Sequence, residues 1–252
     1  MTRLARFALI FFCLAGFALG NWQVVGSSDK PSPQPAVVYR HVDLEQTETG
    51  ERATLDLALF STKACRLQVI NNSEGASLSA AVEPSDFLAG VNGGYFDPDF
   101  APLGLRIVDG KTISRLTRGR LLTGVIASDN VIQIFRVAEF PSRRKWSAAL
   151  ECGPFLVDAS KPVKGLEGER AARRTFAAVG SNERAALGFC PEATLADLGK
   201  MLATTLGDFK VQRALNLDGG SSSAFWFKRE DGHVYYHPEQ KAVRDFVVVV
   251  PR

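Results

Sequence analysis

The sequence predicts one α+β domain of mixed or antiparallel β-sheets with a few helices. Short apolar or alternating segments, each followed by Gly, Asn or Asp, recur along the chain, whereas only one late segment has a strong helical pattern. No fixed-period repeat and no long loop marks a second domain. The 252 residues are 46% hydrophobic and 23% charged, with a net charge of +3. This composition is typical of a packed globular protein and excludes a disordered chain, a coiled coil or a strongly basic nucleic-acid-binding protein.

The first twenty residues have the pattern of a secretory signal peptide. Arg3 and Arg6 precede an apolar run over residues 7–19, which is shorter than the roughly 20 residues that a membrane span needs. Small residues at positions 18 and 20 predict cleavage before Asn21. We therefore expect a protein exported to the periplasm or the extracellular space, with no stable membrane span after cleavage. The alternative is an uncleaved anchor, extended by apolar residues at positions 22, 24 and 25.

Signal cleavage also changes the charge and the cysteine count. It leaves 28 basic against 27 acidic residues, a net charge of +1, so the total charge indicates no nucleic acid partner. It removes Cys13 and leaves Cys65, Cys152 and Cys190. Three cysteines permit one disulfide and one free thiol, and the sequence does not select the pair. The simpler interpretation is that they are small buried hydrophobic residues.

Residues 21–36 are predicted to be a linker. Residues 26–36 contain Pro31, Pro33 and Pro35 in alternation and no large apolar side chain, which is typical of an extended segment. The folded domain is therefore expected over residues 37–252.

The first half of this domain is predicted to consist mainly of short strands. A short helix over residues 79–88 is expected to lead into a buried strand over residues 89–91. Alternating or continuous apolar patterns predict the other strands at residues 37–44, 52–60, 65–70, 105–108, 121–127, 131–137 and 155–157.

The strongest helix pattern begins at Thr194, which can cap a helix with Asp197 three residues later. Four apolar side chains then repeat at helical spacing and Gly207 follows as a stop signal; they are Leu195, Leu198, Leu202 and Leu206. The remaining strands are expected at residues 171–180, 214–217, 224–227 and 246–250.

The first candidate for a functional segment is Asn92-Gly93-Gly94-Tyr95. Glycines at the end of a buried strand permit a tight turn or the close approach of a ligand. The alternative is a plain Asn-Gly hairpin turn. Nearby carboxylates at positions 97 and 99 (Asp97 and Asp99) could ligate a calcium-like ion, but a surface turn is favoured and no cofactor is expected.

The second candidate is an arginine pair, Arg173 and Arg174, at the start of the strand over residues 171–180. Neighbouring side chains on a strand face opposite ways, so at most one of the two can point into a shared site. A guanidinium there would bind a carboxylate or phosphate through paired hydrogen bonds. The alternative is a solvated surface pair.

The third candidate is the segment that follows the strand over residues 214–217. Strand alternation places Asn216 and Asp218 on one face. The backbone N–H groups that follow could bind an anion; they belong to Gly219, Gly220, Ser221 and Ser222. The alternative is an Asp-Gly turn between two core strands. The serines do not form the Gly-x-Ser-x-Gly turn of serine hydrolases.

The histidines are less informative. His41 is predicted to be structural, and His233 and His237 are predicted to be surface residues of a turn, since no third metal ligand is evident nearby.

Five segments in order resemble the phosphodiester glycosidase family. The resemblance extends from about residue 89 to the C-terminus and comprises residues 91–96, 102–105, 152–157, 174–180 and 215–222. It implies a hydrolase that cleaves the glycosyl bond of a sugar-1-phosphodiester. The expected substrate is a carbohydrate of the cell envelope or the extracellular space.

That reaction suggests a role for each candidate residue. Arg174 would hold the departing phosphate, with the N–H groups of residues 219–222 and the hydroxyl of Ser221 or Ser222 assisting. Asp218 would act as base or nucleophile. Sugar hydroxyls would be held by Asn92 and Tyr95, and further substrate contacts are expected at Gly93, Gly94, Asn216, Gly219 and Gly220.

Two other functions are compatible with these residues. One is a non-catalytic protein that binds anionic glycans in the cell envelope. The other is a serine esterase or transacylase that uses Ser221 or Ser222.

Overall fold

The computed structural model describes residues 21–83 and 85–252. In these residues, nineteen strands form three antiparallel sheets, and two α-helices lie between strands in the sequence. The predicted signal peptide at residues 1–20 lies outside the described residues. Strands account for 50% and helices for 9% of the residues, so the fold is mostly β rather than a balanced α+β mixture. The antiparallel pairing is as predicted.

The largest sheet has nine strands. Their order is β1 (Trp22–Pro31), β2 (Val37–Gln46), β3 (Arg52–Ser61), β14 (Arg184–Ala193), β13 (Ala172–Gly180), β16 (Phe209–Asn216), β11 (Phe155–Asp158) and β12 (Lys161–Pro162), and β15 (Thr205–Leu206) pairs with β16.

Two five-stranded sheets complete the fold. The second sheet has the order β7 (Lys111–Ser114), β6 (Arg106–Val108), β10 (Ala148–Cys152), β8 (Gly124–Ser128) and β9 (Ile132–Arg136). The third has the order β18 (Val234–His237), β17 (Phe225–Lys228), β5 (Ala89–Asn92), β19 (Asp245–Pro251) and β4 (Cys65–Asn71).

The three sheets share one hydrophobic core. Phe155 of the largest sheet, Leu150 of the second sheet, and Val91 and Val247 of the third sheet belong to the same buried cluster. Burial of apolar surface between the sheets is therefore what fixes their relative positions.

Residues 22–31 form strand β1, which corrects the prediction that the linker covers residues 21–36. Nine residue pairs join β1 to β2, and Trp22 packs into the cluster on the outer face of the largest sheet. The buried Trp22 and half-buried Val24 alternate with the exposed Gln23 and Val25, a strand pattern that the neighbouring prolines concealed. The folded domain thus begins before Val37.

The helices begin where the sequence predicts but are shorter. Helix α2 (Leu195–Ala203) starts after Thr194, whose side chain accepts a hydrogen bond of 3.1 Å from the Asp197 N–H group. It ends three residues before Leu206, which belongs to β15. Helix α1 (Leu78–Val82) covers only the start of the helix predicted over residues 79–88.

The three described cysteines, Cys65, Cys152 and Cys190, are buried and free. The structure therefore contains no disulfide among them, and the simpler interpretation applies. Burial raises the pKa of the Cys65 thiol to about 11 and those of Cys152 and Cys190 to about 12.

Over residues 21–83 and 85–252, no helix has the length and apolar character required to cross a membrane.

Candidate active site

The three candidate segments meet where β5 and β16 end beside β13. The Asp218 N–H group donates to the Gly93 carbonyl at 3.0 Å, and the Leu217 N–H group donates to the Thr175 carbonyl at 2.9 Å. Arg174 precedes Thr175 on β13. Segments that lie about 125 residues apart in the sequence therefore form one site, as the family resemblance implies.

Asn92 cross-links this site from inside the protein. Its Nδ2 donates to the Asp218 carbonyl at 2.6 Å, and its Oδ1 accepts from the Thr175 hydroxyl at 2.7 Å and from the Ala224 N–H group at 3.0 Å. The side chain is 0% exposed. Asn92 is thus placed to position the other residues, and its burial does not favour the predicted contact with sugar hydroxyls.

The Asp218 carboxyl is the acidic group at the centre of the site. Burial raises its pKa above the usual range for aspartate, and the nearby Asp245 acts in the same direction. The Ser222 hydroxyl, the Lys241 ammonium and the Gly219 N–H group oppose this effect. A carboxyl with a raised pKa in a partly exposed position is a stronger base when ionised than an ordinary aspartate, which suits it to acid–base chemistry.

Arg174 lies beside Gly219, the residue that follows Asp218, and one of its nitrogens has no hydrogen-bond acceptor in the described residues. Its Nε donates to the Ala193 carbonyl at 3.0 Å and its Nη2 to the Arg170 carbonyl at 2.8 Å. Nη1 has no acceptor in the described residues, and a Cβ atom on Gly219 would lie 3.5 Å from it. Nη2 also lies 3.8 Å from Oε2 of Glu167. The guanidinium is therefore held on one side, and its Nη1 is left to bind an anion on the other.

Arg173 faces away from Arg174, as the strand alternation predicts. Its Nη2 donates to the carbonyls of Ser223 and Pro238 at 2.8 and 2.7 Å, and its guanidinium lies over the ring of Phe189. Arg173 thus supports the far end of the Asp218 loop, and only Arg174 is available to a ligand.

The loop after Asp218 forms a tight 3₁₀ turn over residues 220–222. The N–H groups of Ser222 and Ser223 donate to the carbonyls of Gly219 and Gly220 at 3.4 and 3.1 Å. The N–H groups of Gly220 and Ser221 have no acceptor in the described part of the chain. Gly220 has φ +64° and nothing within 4 Å of a Cβ position, so it faces open space. Ser221 is exposed and Ser222 is buried.

Tyr95 and Asn216 meet at one carbonyl. The Tyr95 hydroxyl donates to the Gly153 carbonyl at 2.7 Å, and Nδ2 of Asn216 donates to the same oxygen at 3.1 Å. Burial raises the pKa of the Tyr95 phenol, and Asp218 adds to this effect while Arg174 opposes it. Tyr95 therefore lies within the electrostatic field of both charged site residues.

Gly93 and Gly94 are required by a buried ion pair behind the site. Nε of Arg106 lies 2.6 Å from Oδ2 of Asp245, and Oδ1 of Asp245 accepts from the Gly94 N–H group at 2.7 Å. A Cβ atom would lie 1.8 Å from Oδ1 of Asp245 at Gly93 and 2.1 Å from Nη2 of Arg106 at Gly94. The glycines are thus needed for close packing within the protein, whatever they contribute to ligand binding.

Sequence reasoning missed Lys241 as a site residue. Its ammonium lowers the pKa of Asp218 and lies 5.0 Å from the centre of the Phe96 ring. The preceding residue, Gln240, donates its N–H group to the Ser221 carbonyl at 2.8 Å. A lone lysine in a turn carries no sequence signal, so only the fold could place it here.

Asp97 and Asp99 form the surface turn that was favoured for them. Oδ1 of Asp97 accepts from the N–H groups of Asp99 and Ala101 at 3.0 and 2.8 Å. Among the described residues there is no group of three His, Cys, Asp or Glu side chains arranged to hold a metal ion.

Two histidines form a separate cluster on a buried carboxylate. Asp56 accepts hydrogen bonds from Tyr39 and from Nδ1 of His41, both at 2.7 Å, and pairs with Nε2 of His237 at 2.9 Å. His41 is structural, as predicted. The prediction of a plain surface residue is wrong for His237, because its ring also stacks on Phe189 at 4.5 Å.

A groove of about 1070 Å³ lies on another part of the surface, between α2 and residues 161–166. It contains none of the candidate residues, so the convergence of side chains rather than cavity size identifies the site.

Comparison with protein families matches residues 85–250 to the family described as phosphodiester glycosidase. Among solved structures, the chain is similar to the catalytic domain of zebrafish N-acetylglucosamine-1-phosphodiester alpha-N-acetylglucosaminidase, auto-inhibited by its pro-peptide. The TM-score is 0.64 and the identity is 15%, over 92% of this chain and 89% of that one. A presumed exported protein from Burkholderia pseudomallei has a TM-score of 0.56 and 13% identity, over 81% and 75% of the two chains. Comparison with curated protein sequences gave no match.

Proposed function

Because the chain belongs to the phosphodiester glycosidase family, we propose that it hydrolyses the glycosyl bond of a sugar-1-phosphodiester. The observation that carries this proposal is the convergence of the Asp218 carboxyl and the free Nη1 of Arg174 at Gly219. Cleavage at the anomeric carbon needs a cation for the departing phosphate and a carboxylate for the sugar. The site supplies both.

Arg174 is the phosphate-binding residue in this proposal. Two of its nitrogens are held by the carbonyls of Ala193 and Arg170, so binding of the phosphate to Nη1 costs little further ordering of the side chain. The N–H groups of Gly220 and Ser221 and the exposed Ser221 hydroxyl would add hydrogen bonds to the same phosphate.

Asp218 is the base or nucleophile. Its backbone is held on both sides, by the Gly93 carbonyl at its N–H group and by Asn92 at its carbonyl, so the direction of its side chain is set by the fold. The raised pKa increases the basicity of the ionised carboxylate, and Lys241 helps to keep the group ionised.

Asn92 acts as a positioning residue, and Tyr95, with its hydroxyl on Gly153, would present a ring to the sugar. Gly93, Gly94 and Asn216 would shape the floor of the site.

The substrate is proposed to be a glycan of the cell envelope or the extracellular space, because the apolar run at residues 7–19 predicts export.

The test is hydrolysis of a sugar-1-phosphodiester by the purified protein and two variants. We expect Asp218→Asn and Arg174→Gln to lower kcat/KM by at least about 100-fold, the scale of removing a transition-state charge contact. The wild-type rate should fall on the acid side, with a midpoint above the usual range of aspartate pKa values. Asp97→Asn and Arg144→Gln remove the same charges away from the site and should keep wild-type rates.

The outcome also separates the two other functions. Retained binding of an anionic glycan without turnover in the wild-type protein would indicate a binding protein instead. Labelling of Ser221 by a fluorophosphonate would indicate a serine enzyme, although no histidine is hydrogen-bonded to Ser221 or Ser222 in the described residues.

A further inference from the structure

Residues 111–121, here called the basic segment, carry an unbalanced positive charge. No acidic residue occurs from position 110 to position 128, whereas four cations do; they are Lys111, Arg115, Arg118 and Arg120. All four are exposed, and none forms an ion pair within the described residues. The acidic residues on either side are engaged elsewhere, Asp109 with Gln68 and Asp129 with Arg144.

The basic segment also exposes large apolar side chains. So does Leu103, which follows Pro102, whose carbonyl accepts from the Ser114 hydroxyl of the segment at 3.4 Å. Leu103, Ile113 and Leu121 are 43%, 45% and 59% exposed, and they are three of the six exposed large hydrophobic side chains in the described chain. Exposed apolar groups that cluster with cations are characteristic of surfaces that bind a partner, whereas single ones are ordinary.

A fixed backbone presents these side chains. Leu116 packs against the core of the second sheet, and the Thr117 N–H group donates to Oε2 of the buried Glu151 at 3.0 Å. The Leu121 carbonyl lies against Gly153, where a Cβ atom would be 2.2 Å from it. Since the Gly153 carbonyl accepts from Tyr95, the basic segment borders the candidate active site.

We propose that the basic segment docks on the surface of a bilayer that contains anionic phospholipid. The four cations would lie at the level of the phosphate groups, and Leu103, Ile113 and Leu121 would enter the boundary with the acyl chains. A soluble polyanion would bind the arginines but would leave the exposed apolar side chains in water. The combination of charges and apolar groups therefore favours the membrane surface, and it does so independently of the proposed activity.

The first test places a reporter in the basic segment. The native Trp22, Trp146 and Trp226 are at most 5% exposed, so a new surface tryptophan reports its own surroundings. In the full chain, the fluorescence that Leu121→Trp adds to the wild-type signal should be quenched at least twofold by vesicles of phosphatidylglycerol and phosphatidylcholine with brominated acyl chains. Val234→Trp is the matched control, since Val234 is 47% exposed on the third sheet, and it should not be quenched.

The second test measures binding to unlabelled vesicles of the same lipids by sedimentation. A triple variant, Arg115→Gln, Arg118→Gln and Arg120→Gln, should bind at least tenfold more weakly, and added salt should weaken wild-type binding. The control changes Lys161, Lys164 and Lys210 to Gln, which removes three exposed cations elsewhere. Equal quenching at both tryptophans, equal binding of both triple variants, or quenching by phosphatidylcholine alone would overturn the proposal. A further outcome concerns soluble polyphosphate. If the protein binds polyphosphate as tightly as it binds vesicles, and Leu121→Ser does not weaken that binding, the segment is a polyanion site and the membrane proposal is overturned.

Discussion

Gly94 shows how a single residue is constrained by groups far away in the sequence. Its N–H group donates to Asp245, and the space where a Cβ would lie is filled by Nη2 of Arg106. From the sequence, the glycine pair was explained by a tight turn or by a ligand that approaches closely. The buried ion pair is a third explanation, and it cannot be predicted from local sequence patterns. Asp218, Arg174 and Tyr95 could be selected from the sequence because their chemistry suits an anionic sugar, whereas Arg106 and Asp245 carried no signal.

Gly94→Ala should destabilise the protein by about 3 kcal/mol or more, because the methyl group displaces one member of a buried ion pair. Urea denaturation measures this loss. Gly168→Ala is the control, since the nearest atom to its Cβ position lies at an ordinary 3.6 Å. A loss of less than about 1 kcal/mol at Gly94 would show that Arg106 moves aside easily.

Asp56 makes stability depend on pH. Burial alone would raise the pKa of this carboxyl, but the hydrogen bonds from His237, His41 and Tyr39 outweigh burial and lower it. A pKa that is lower in the folded state stabilises the protein at pH values above the unfolded-state pKa of about 3.9. This stabilisation is lost as the pH falls through the folded-state pKa.

Asp56→Asn should therefore cost about 2 kcal/mol at pH 7, the scale of hydrogen bonds to a charged group. The variant does not titrate at this position, so its difference from wild type should shrink as the pH falls below about 4. Denaturation curves at pH 7 and pH 3 measure both quantities. The control is Asp43→Asn, which changes a half-exposed carboxylate 3.5 Å from His41 and should alter stability by less than about 0.5 kcal/mol. A stability difference between Asp56→Asn and wild type that stays constant across pH would contradict the linkage.

At the scale of elements, apolar and alternating patterns predicted most of the long strands but missed some buried ones. Strands β2, β3 and β4 were predicted within two residues of their observed ends. The missed strands include β10, whose five residues are all buried, and β14, whose central residues form a nearly continuous apolar run. Continuous apolar runs do not distinguish a strand from a buried helix, so only pairing with neighbours determines their type.

The N-terminal cap of α2 could be predicted because its signal is local. Thr194→Ala should destabilise the protein by about 1 kcal/mol, since the Asp197 N–H group loses its acceptor. Thr194→Ser keeps the oxygen and should restore most of the loss. Thermal or urea denaturation of the pair measures this, and equal stabilities of the alanine and serine variants would mean that the cap contributes nothing.

For the whole molecule, the family resemblance indicated which distant segments lie together, whereas local patterns predicted single elements. In the structure, Asn92 bonds to Asp218 and Arg174 lies beside Gly219, so the segments that carry the resemblance lie close together. Residues 22–31, in contrast, were misread as linker. Lys241 could not be predicted, because its position depends on the path of the chain after β18. The three-sheet arrangement likewise depends on long-range pairing that no single segment encodes.

Buried thiols give a measure of global unfolding. Cys65, Cys152 and Cys190 are buried with raised pKa values, so the native protein should react with a thiol reagent at Cys13 at most. Reaction of the other three should require denaturant, and the reductant dithiothreitol should leave Tm unchanged. A shift in Tm with reductant would reveal a disulfide that the structure lacks.

The last strand of the chain lies inside its sheet. β19 pairs with β5 on one side and β4 on the other, and its first residue is the Asp245 that holds Gly94. The hydrogen bond between Gly94 and Asp245 joins residues that are 151 positions apart in the sequence. The third sheet is complete only when β19 lies between β5 and β4. Folding of this region is therefore limited by contacts of very high sequence separation.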